Sequence, residues 1–296
     1  MELWFTERQT SGLALSMKIA RTIYHETSKY QDIAVLETID NKRVLVLDGC
    51  VMTTDLDEFV YHEMITHVPL CTHPCPRKVL VVGGGDGGTM REVLKHESVE
   101  NAVLAEIDEG VIEVSRRYLP HLSSSLQDPR CRIMVGDGAE HVRSHPGEYD
   151  VIICDSTDPV GPGAVLFSEE FYRASYASLT GEGVFCAQME SPFFYGELIR
   201  RAVCDLRRVF PVVRLYLAVV PSYPGALWSF VLASKKQDPV RDARVTNLKT
   251  RYYTPEIHKA AFVLPKFVEE LIGPREPSSM PDGAALAQGG QGSAGP

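Results

Sequence analysis

Residues 78–88 read KVLVVGGGDGG, a short apolar run that continues into five glycines and one aspartate. The run predicts a buried strand, Lys78–Val82, and the pattern of Thr89–His96 predicts a helix directly after the glycines. Three of the glycines have the spacing G-x-G-x-x-G, which is typical of a turn where the backbone approaches a ligand. This stretch therefore predicts the first strand-turn-helix unit of an α/β sheet.

The same alternation of strands and helices continues on the C-terminal side of the glycines. Between helix-like segments, further apolar strands are predicted at residues 101–106, 132–135, 149–154 and 183–187. Strands that are apolar along nearly their whole length are typical of a parallel sheet with helices on both faces. Arg214–Val220 and Leu227–Ala233 predict a final antiparallel pair. The predicted fold class is therefore α/β, with a Rossmann-like parallel sheet.

The two ends of the chain have different patterns. Gln31–Ile39 and Arg43–Leu47 are rich in β-branched and aliphatic residues and predict a β-hairpin, and Asp57–His67 predicts a helix. The last residues include few large apolar side chains and many Gly, Pro, Ala and Gln, which predicts disorder. We therefore expect three units: an N-terminal β-stranded domain, residues 1–70, a Rossmann-like domain, residues 71–272, and a disordered tail, residues 273–296.

The composition argues against several classes of function. The chain has 296 residues, of which 39 are acidic and 30 basic, and its net charge of −9 argues against nucleic-acid binding. No apolar run approaches the roughly 18 residues of a membrane span, and Met1–Thr10 lacks the pattern of a signal peptide, so we expect a cytoplasmic protein without a membrane partner. The seven cysteines form no CxxC pair and the nine histidines no HExxH motif, so neither disulfides nor a metal site are expected.

A carboxylate ends or follows each predicted parallel strand, and the five are Asp86, Glu106, Asp137, Asp155 and Glu190. Ligands of an open parallel sheet bind at the carboxyl ends of its strands, so these side chains are expected to share one cleft. A single acidic residue in a turn is ordinarily a cap, but five at one edge would crowd negative charge unless a cation compensates it. The pattern favours a positively charged ligand, with simple capping as the alternative.

These acidic residues are placed for different roles. Asp86 would repel a pyrophosphate at the glycine-rich turn, which disfavours a dinucleotide there and leaves an adenosyl-sulfonium ligand or a plain helix cap open. Glu106 is placed to accept both hydroxyl hydrogens of a ribose, and Asp137 to accept a hydrogen from an adenine amino group. Asp155 and Asp158 have the spacing to hold an ammonium group, or one can hold it while the other accepts its proton.

Together, these stretches resemble the spermidine synthases, a family of polyamine aminopropyltransferases. The resemblance runs from Trp4 to about Leu271 and is most specific in GGGDGG at 83–88 and DSTDPVGP at 155–162. It implies an N-terminal β-stranded domain that forms dimers or tetramers, followed by a Rossmann-like domain of the methyltransferase type. It also implies transfer of the aminopropyl group of decarboxylated S-adenosylmethionine to putrescine, which gives spermidine and methylthioadenosine.

The resemblance assigns roles to individual residues. The positions that bind the donor or methylthioadenosine match Gln31, Asp86, Glu106, Asp137, Gly138 and Pro162, and Asp86 matches the position that binds the donor's ammonium. The polyamine-binding positions match Tyr61, His62, Asp86, Asp155, Asp158 and Tyr223. Asp155 also matches the proton acceptor. No metal and no cofactor are implied, because the decarboxylated donor is a co-substrate.

The charges expected in the cleft fit this reaction. Intact S-adenosylmethionine carries a carboxylate that Asp86 would repel, whereas the decarboxylated form presents only positive charge there. A free amine has a pKa near ~10.4 and an Asp carboxyl near ~3.9, so Asp155 is a weak base in water. We expect burial to raise the pKa of Asp155 and the neighbouring sulfonium to lower that of the amine.

Other functions share parts of this pattern. A small-molecule methyltransferase would share the fold and Glu106 but has no use for an ammonium site at Asp86. A catalytically silent nucleoside-binding or polyamine-sensing protein would need no proton acceptor, and a nicotinamide oxidoreductase is disfavoured by Asp86. Putrescine is the expected acceptor. Cadaverine, an agmatine-type amine and spermidine stay open, because Met189–Phe194 and Leu227-Trp228 look particular to this chain.

Overall fold

The computed structural model describes residues 2–157 and 161–274, which form two β-sheets. The N-terminal sheet consists of β1 Leu3–Arg8, β2 Ala14–Thr27, β3 Asp32–Thr38, β4 Arg43–Leu47 and β5 Cys50–Thr54. These strands are antiparallel and hydrogen-bonded in chain order. The predicted hairpin of β3 and β4 is confirmed, with Ile33 opposite Leu47 and Leu36 opposite Val44.

The N-terminal sheet is fixed by a tight turn and by one apolar face. Asp48 and Gly49 join β4 to β5 with φ of 49° and 82°, as a type I′ hairpin turn requires. Apolar residues of the sheet, among them Ile33 and Leu45, are buried against Val111 and its neighbours on the helix that follows residues 101–106. The sheet therefore lies beside the edge of the larger sheet at which carboxylates were expected to meet.

The larger sheet has seven strands: β6 Lys78–Gly83, β7 Asn101–Glu106, β8 Cys131–Val135, β9 Tyr149–Asp155, β10 Leu179–Gln188, β11 Val212–Val219 and β12 Leu227–Ser234. Their spatial order is β11-β12-β10-β9-β6-β7-β8. The strands from β6 to β10 are parallel, and β12 and β11 add an antiparallel pair at one edge. The predicted α/β class and the final antiparallel pair are confirmed.

Helices cover both faces of the larger sheet. Alternate residues of β6 are buried on opposite faces, Val79 and Val81 on one and Leu80 and Val82 on the other, which explains the continuous apolar run. The helices are α1 Glu58–Thr72, α2 Gly88–Val93, α3 Glu109–Tyr118, α4 Pro120–Ser123, α5 Gly138–Ser144, α6 Glu169–Ser178, α7 Gly196–Val209, α8 Pro255–Ala260 and α9 Lys266–Ile272. Short 3-10 helices span Ser124–Gln127 and Gly161–Phe167.

Helix α1 connects the two sheets and packs on the larger one, against β9 and β10. The strands of the N-terminal sheet end at Thr54, and the predicted domain boundary at residue 70 stays a prediction. Among the helices in the described ranges, none is both long and apolar enough to cross a membrane. The predicted disorder of the tail concerns residues that, from 275 onward, lie outside the described part of the chain.

Candidate active site

A cavity of about 180 Å³ opens at the carboxyl ends of β6, β7 and β9. It is lined by every predicted site residue whose side chain is described: Gln31, Tyr61, His62, Asp86, Glu106, Asp137, Gly138, Asp155 and Tyr223. Asp158 and the side chain of Pro162 lie outside the described part of the chain, so their roles stay predictions. The N-terminal sheet contributes Leu45, Leu47 and Met52 to the opposite wall.

One predicted member of the cleft lies elsewhere. Glu190 does not line the cavity, and the expectation that all five strand-end carboxylates share one cleft is wrong for this residue. Its backbone has a φ of 66°, its side chain is fully buried, and its Oε1 accepts a hydrogen bond from Gln188 Nε2 at 3.3 Å. The chain turns sharply after β10, which directs this carboxylate into the protein.

Glu106 forms the end of the cavity that was predicted to bind a ribose. The backbone N–H of Gly85 donates to its Oε2 at 3.1 Å, and the N–H of Asp108 donates to its Oε1 at 2.9 Å. Burial raises the pKa of Glu106 to about 7, and the Asp108 carboxylate adds to the effect, while the two N–H groups oppose it. Gln31 is held nearby, because its Nε2 donates to Asp108 Oδ2 at 3.0 Å.

Asp137 and Gly138 form the adjoining wall at the start of α5. Asp137 caps this helix, since its Oδ1 accepts from the N–H groups of Ala139 and Glu140 at 2.8 and 3.3 Å. The capping alternative therefore holds for Asp137, although the residue also lines the cavity. A Cβ at Gly138 would lie 2.5 Å from the Val82 side chain, so the close approach of helix and strand requires glycine here.

If Glu106 binds a ribose as predicted, its raised pKa should make nucleoside binding depend on pH. Ribose hydroxyls donate to the ionised carboxylate, so methylthioadenosine should bind the charged form better, and its affinity should increase from about pH 6 to about pH 8. Below the pKa of Glu106, the affinity should fall by about tenfold for each pH unit. This is the largest change that the binding of one proton can cause. Calorimetric titration at several pH values measures this. Glu106→Gln should bind weakly with a flat profile, and a flat wild-type profile would contradict the prediction.

Asp86 lies in the turn after β6 and faces His62 of α1. The Gly88 N–H donates to its Oδ1 at 2.6 Å, and His62 Nε2 lies 3.6 Å from the same oxygen. The other ring nitrogen of His62, Nδ1, lies 2.6 Å from Glu58 Oε2. Asp86 and Glu58 thus flank the imidazole of His62. The contact of His62 with a polyamine stays a prediction. Asp86 lines the cavity and also bonds the first turn of α2, and its role as an ammonium site stays a prediction.

The charges of this group follow from its contacts. Although burial opposes it, Asp86 and Glu58 raise the pKa of His62 to about 10. The charged imidazole keeps the pKa of Asp86 below its ordinary value, against the effect of burial. The guanidinium of Arg91 binds both carboxylate oxygens of Glu58 at 3.2 and 2.9 Å and holds it in place. Asp86 is therefore an anion at neutral pH, as a site for an ammonium group requires.

Asp155 ends β9 at the centre of the cavity. The Tyr61 hydroxyl donates to its Oδ1 and the Thr89 hydroxyl to its Oδ2, each at 2.7 Å. Desolvation raises the pKa of Asp155, and the Asp86 carboxylate raises it further, against the charge of His62. This direction agrees with the one expected from the sequence. Thr89 was not predicted as a site residue, and its place directly after the glycines was its only signal.

Aromatic rings form the wall next to Asp155. Tyr61 and Tyr223 meet edge to face with ring centroids 5.4 Å apart, and Trp228 lies 4.6 Å from Tyr223. The Tyr223 hydroxyl donates to the Met52 carbonyl oxygen at 2.5 Å, which joins the β11–β12 turn to the N-terminal sheet. Faces of aromatic rings attract cations and also pack against alkyl chains. This wall can therefore hold an extended amine.

A second cavity of about 40 Å³ shares Tyr61 and Tyr223 with the first. Its lining reaches Glu7 of β1 and Gln188 of β10. Glu7 is buried and its Oε2 accepts from the Val51 N–H at 2.8 Å. Sequence reasoning missed Glu7, because nothing in the pattern of β1 placed it near Tyr61, Gln188 or Tyr223. The two cavities thus share part of their lining, with the Glu106 carboxylate in the first and the Glu7 carboxylate in the second.

The described residues give no sign of a metal centre. Within residues 2–157 and 161–274, no group of three or more His, Cys, Asp or Glu side chains is arranged to hold a metal ion. The seven cysteines are free thiols. The expectation that the reaction uses neither metal nor cofactor stays a prediction.

Known proteins resemble this chain over most of its length. Residues 58–243 match the model of the spermine/spermidine synthase domain, and residues 3–55 match that of the spermidine synthase tetramerisation domain. The polyamine aminopropyltransferase of Thermoanaerobacter sp. (strain X514) is 54% identical over 274 residues, which cover 92% of this chain and 99% of the relative. That of Desulforudis audaxviator (strain MP104C) is 53% identical over 272 residues, with 91% and 99% covered.

Solved structures give the same result. A spermidine synthase in complex with the transition-state analogue AdoDATO has a TM-score of 0.89 and 47% identity, covering 91% of this chain and 94% of that chain. The spermidine synthase of Thermotoga maritima has a TM-score of 0.88 at the same identity and coverage. The implied fold and the predicted enzyme class, a polyamine aminopropyltransferase, are thereby confirmed. More particularly, the chain belongs to the spermine/spermidine synthase family.

Proposed function

We propose that the chain transfers the aminopropyl group of decarboxylated S-adenosylmethionine to putrescine, giving spermidine and methylthioadenosine. The observation that carries this proposal is the pair Asp86 and Asp155, two carboxylates on one cavity with pKa values shifted in opposite directions. The anionic Asp86 suits the ammonium group of the donor. The raised pKa of Asp155 suits a group that accepts a proton from an amine.

The reaction is a single displacement. The acceptor nitrogen attacks the carbon next to the sulfonium, the carbon–sulfur bond breaks, and its electron pair goes to sulfur. The leaving group is a neutral thioether, so its departure needs no acid and no metal. The attacking nitrogen passes its proton to Asp155. Alignment of the two substrates in one cleft supplies much of the remaining acceleration.

The lining of the cavity supports a position for each substrate. The nucleoside of the donor lies along Glu106, Asp137 and Gly138, with Gln31 at its edge. The alkyl chain of the acceptor lies along the wall formed by Tyr61 and Tyr223 and extends toward the second cavity. Both substrates are cations, which the carboxylates of the cleft attract.

Assembly and location form part of the same proposal. The match of residues 3–55 to a tetramerisation domain supports an oligomer, a homodimer or homotetramer formed through the N-terminal sheet. Residues 1–70 then act as the oligomerisation domain and complete the acceptor site through Met52 and Glu7. We place the enzyme in the cytoplasm, where its small-molecule substrates are its partners and nucleic acids and membranes are not.

A product assay read by mass tests this function. Each reaction contains the purified chain, one donor and one amine. The donor is decarboxylated or intact S-adenosylmethionine, and the amine is putrescine, cadaverine, agmatine or spermidine. We expect spermidine and methylthioadenosine from the decarboxylated donor with putrescine, and no aminopropyl product from the intact donor. Methyl transfer from the intact donor would favour the methyltransferase alternative. Nucleoside binding without any product would favour a silent binding protein.

A further inference from the structure

The first turn of helix α2 lies next to the Asp155 carboxylate. Thr89, the second residue of this helix, is fully buried, and its hydroxyl donates to Asp155 Oδ2 at 2.7 Å. The same oxygen lies against the glycine-rich turn, because a Cβ at Gly84 would lie 2.7 Å from it. Oδ2 is therefore enclosed by protein on two sides. Oδ1 accepts instead from Tyr61, whose side chain lines both cavities.

We propose that Thr89 is a positioning residue for the proton acceptor: its hydroxyl holds Oδ2, so that Asp155 presents Oδ1 to the attacking amine. The inference rests on the proposed role of Asp155 as proton acceptor. A hydroxyl that donates to a carboxylate stabilises its charged form. Thr89 therefore also favours the ionised form of Asp155 and limits the rise of its pKa on burial. The proton itself moves from nitrogen to Oδ1, and Thr89 keeps its own.

The titratable groups that face Asp155 come from several elements: Tyr61 and His62 of α1, Asp86 of the turn after β6, Tyr223 of the β11–β12 turn, and the thiols of Cys154 on β9 and Cys186 on β10. Among them Asp86 raises the pKa of Asp155, whereas His62 and Tyr61 lower it as Thr89 does. These groups stay unchanged when only the Thr89 hydroxyl is removed. A shift in the titration of Asp155 can then be assigned to Thr89.

Thr89→Val removes the hydroxyl and keeps the shape of the side chain. Because the charged form of Asp155 loses a hydrogen-bond donor, its pKa should rise, and the acidic limb of kcat/KM for putrescine should move up by about one pH unit. At a pH on that limb the variant should be about tenfold slower than the wild type, with the difference shrinking as the pH rises. The donor is kept saturating, so that the titration of Glu106 in free enzyme does not enter the profile.

Three further variants separate positioning from simple packing. Thr89→Ser keeps the hydroxyl, so the acidic limb of its kcat/KM profile should lie close to that of the wild type. Thr89→Ala should move the limb as Thr89→Val does, and it serves if the valine variant does not fold. Thr66→Val is the matched control, because Thr66 of α1 is also fully buried and donates to the Thr89 carbonyl oxygen at 3.5 Å. It should leave the limb in place.

The outcomes distinguish this inference from the proposed function. The inference is overturned if the limb of Thr89→Val and Thr89→Ala coincides with that of the wild type, or if Thr89→Ser moves it as far as they do. If Asp155→Asn is inactive at the same time, only the role of Thr89 fails. If Asp155→Asn keeps full turnover, the proton acceptor of the proposed function fails, and the role of Thr89 fails with it.

Discussion

Asp155→Asn should lower kcat about a thousandfold, within the range of about 10² to 10⁴ that a general base contributes. Asparagine has the size of aspartate and can still accept one of the hydrogen bonds from Tyr61 and Thr89, so the cavity should keep its shape. Its amide cannot take the proton of the attacking amine. Methylthioadenosine affinity should change by less than about twofold, because the Glu106 end is untouched. Steady-state kinetics and calorimetric titration measure the two effects.

Asp150→Asn is the matched control for this variant. Asp150 lies on the same strand, β9, but at its other end, where its Oδ2 accepts from the N–H groups of Arg77 and Lys78 at 2.9 and 3.0 Å. Its substitution should lower stability and leave kcat within about twofold of the wild type. A kcat of Asp155→Asn close to the wild-type value would show that another group takes the proton.

Asp86→Asn should lower kcat/KM for the decarboxylated donor about a hundredfold. Removing one member of a buried charge pair costs about 2–5 kcal/mol in measured complexes, and the donor loses the anion expected to bind its ammonium. The substitution also leaves the His62 imidazole beside that ammonium with Glu58 as its remaining carboxylate partner. Initial rates at limiting donor measure the loss.

The same variant should lose its preference between donors. Intact S-adenosylmethionine is expected to place its carboxylate near position 86. Removing the negative charge should therefore weaken binding of the decarboxylated donor and strengthen binding of the intact one. The ratio of their dissociation constants, measured by calorimetry, should fall by at least about tenfold. Glu92→Gln is the control, because Glu92 is a fully buried carboxylate bonded to His67 Nε2 at 3.0 Å and does not line the cavity. An unchanged ratio in Asp86→Asn would contradict its role.

The parallel strands could be predicted because a strand that is buried on both faces is apolar along nearly its whole length. β6, β7 and β9 are covered on both faces, and their apolar runs gave bounds within one residue of those observed. β1 and β2 could not be delimited, since Trp4 is 55% exposed and the residues of β2 are all exposed or half-buried. A strand that presents much of its surface to solvent or to a second subunit carries no such run.

Helix ends depend on contacts that a local pattern does not contain. Helix α2 was predicted to reach His96 but ends at Val93. His96 turns inward instead, and its Nε2 lies 3.0 Å from His67 Nδ1 on α1. Helix α1 runs beyond its predicted end at His67 to Thr72, with Pro69 in its last turn. Packing on the larger sheet stabilises this last turn, because Leu70 and Cys71 are fully buried there.

The strand-end carboxylates could be placed because topology alone brings the carboxyl ends of parallel strands together. Asp86, Glu106 and Asp155 were predicted in this way and line one cavity. Glu58 was missed because its contact with Arg91 depends on how α1 lies across α2, and Thr89 because its contact depends on how α2 lies beside the end of β9. No spacing in the sequence records that the hydroxyl after the glycines bonds a carboxylate 66 positions later.

A crystal structure with methylthioadenosine and putrescine bound together tests most directly whether one cleft holds nucleoside and amine for proton transfer to Asp155. We predict the ribose hydroxyls on Glu106 and one putrescine nitrogen at a hydrogen-bond distance of about 2.7–3.2 Å from Asp155 Oδ1, with the alkyl chain along the wall formed by Tyr61 and Tyr223. A putrescine bound away from Asp155, or an adenosine group outside the Glu106 end of the cavity, would contradict this central claim.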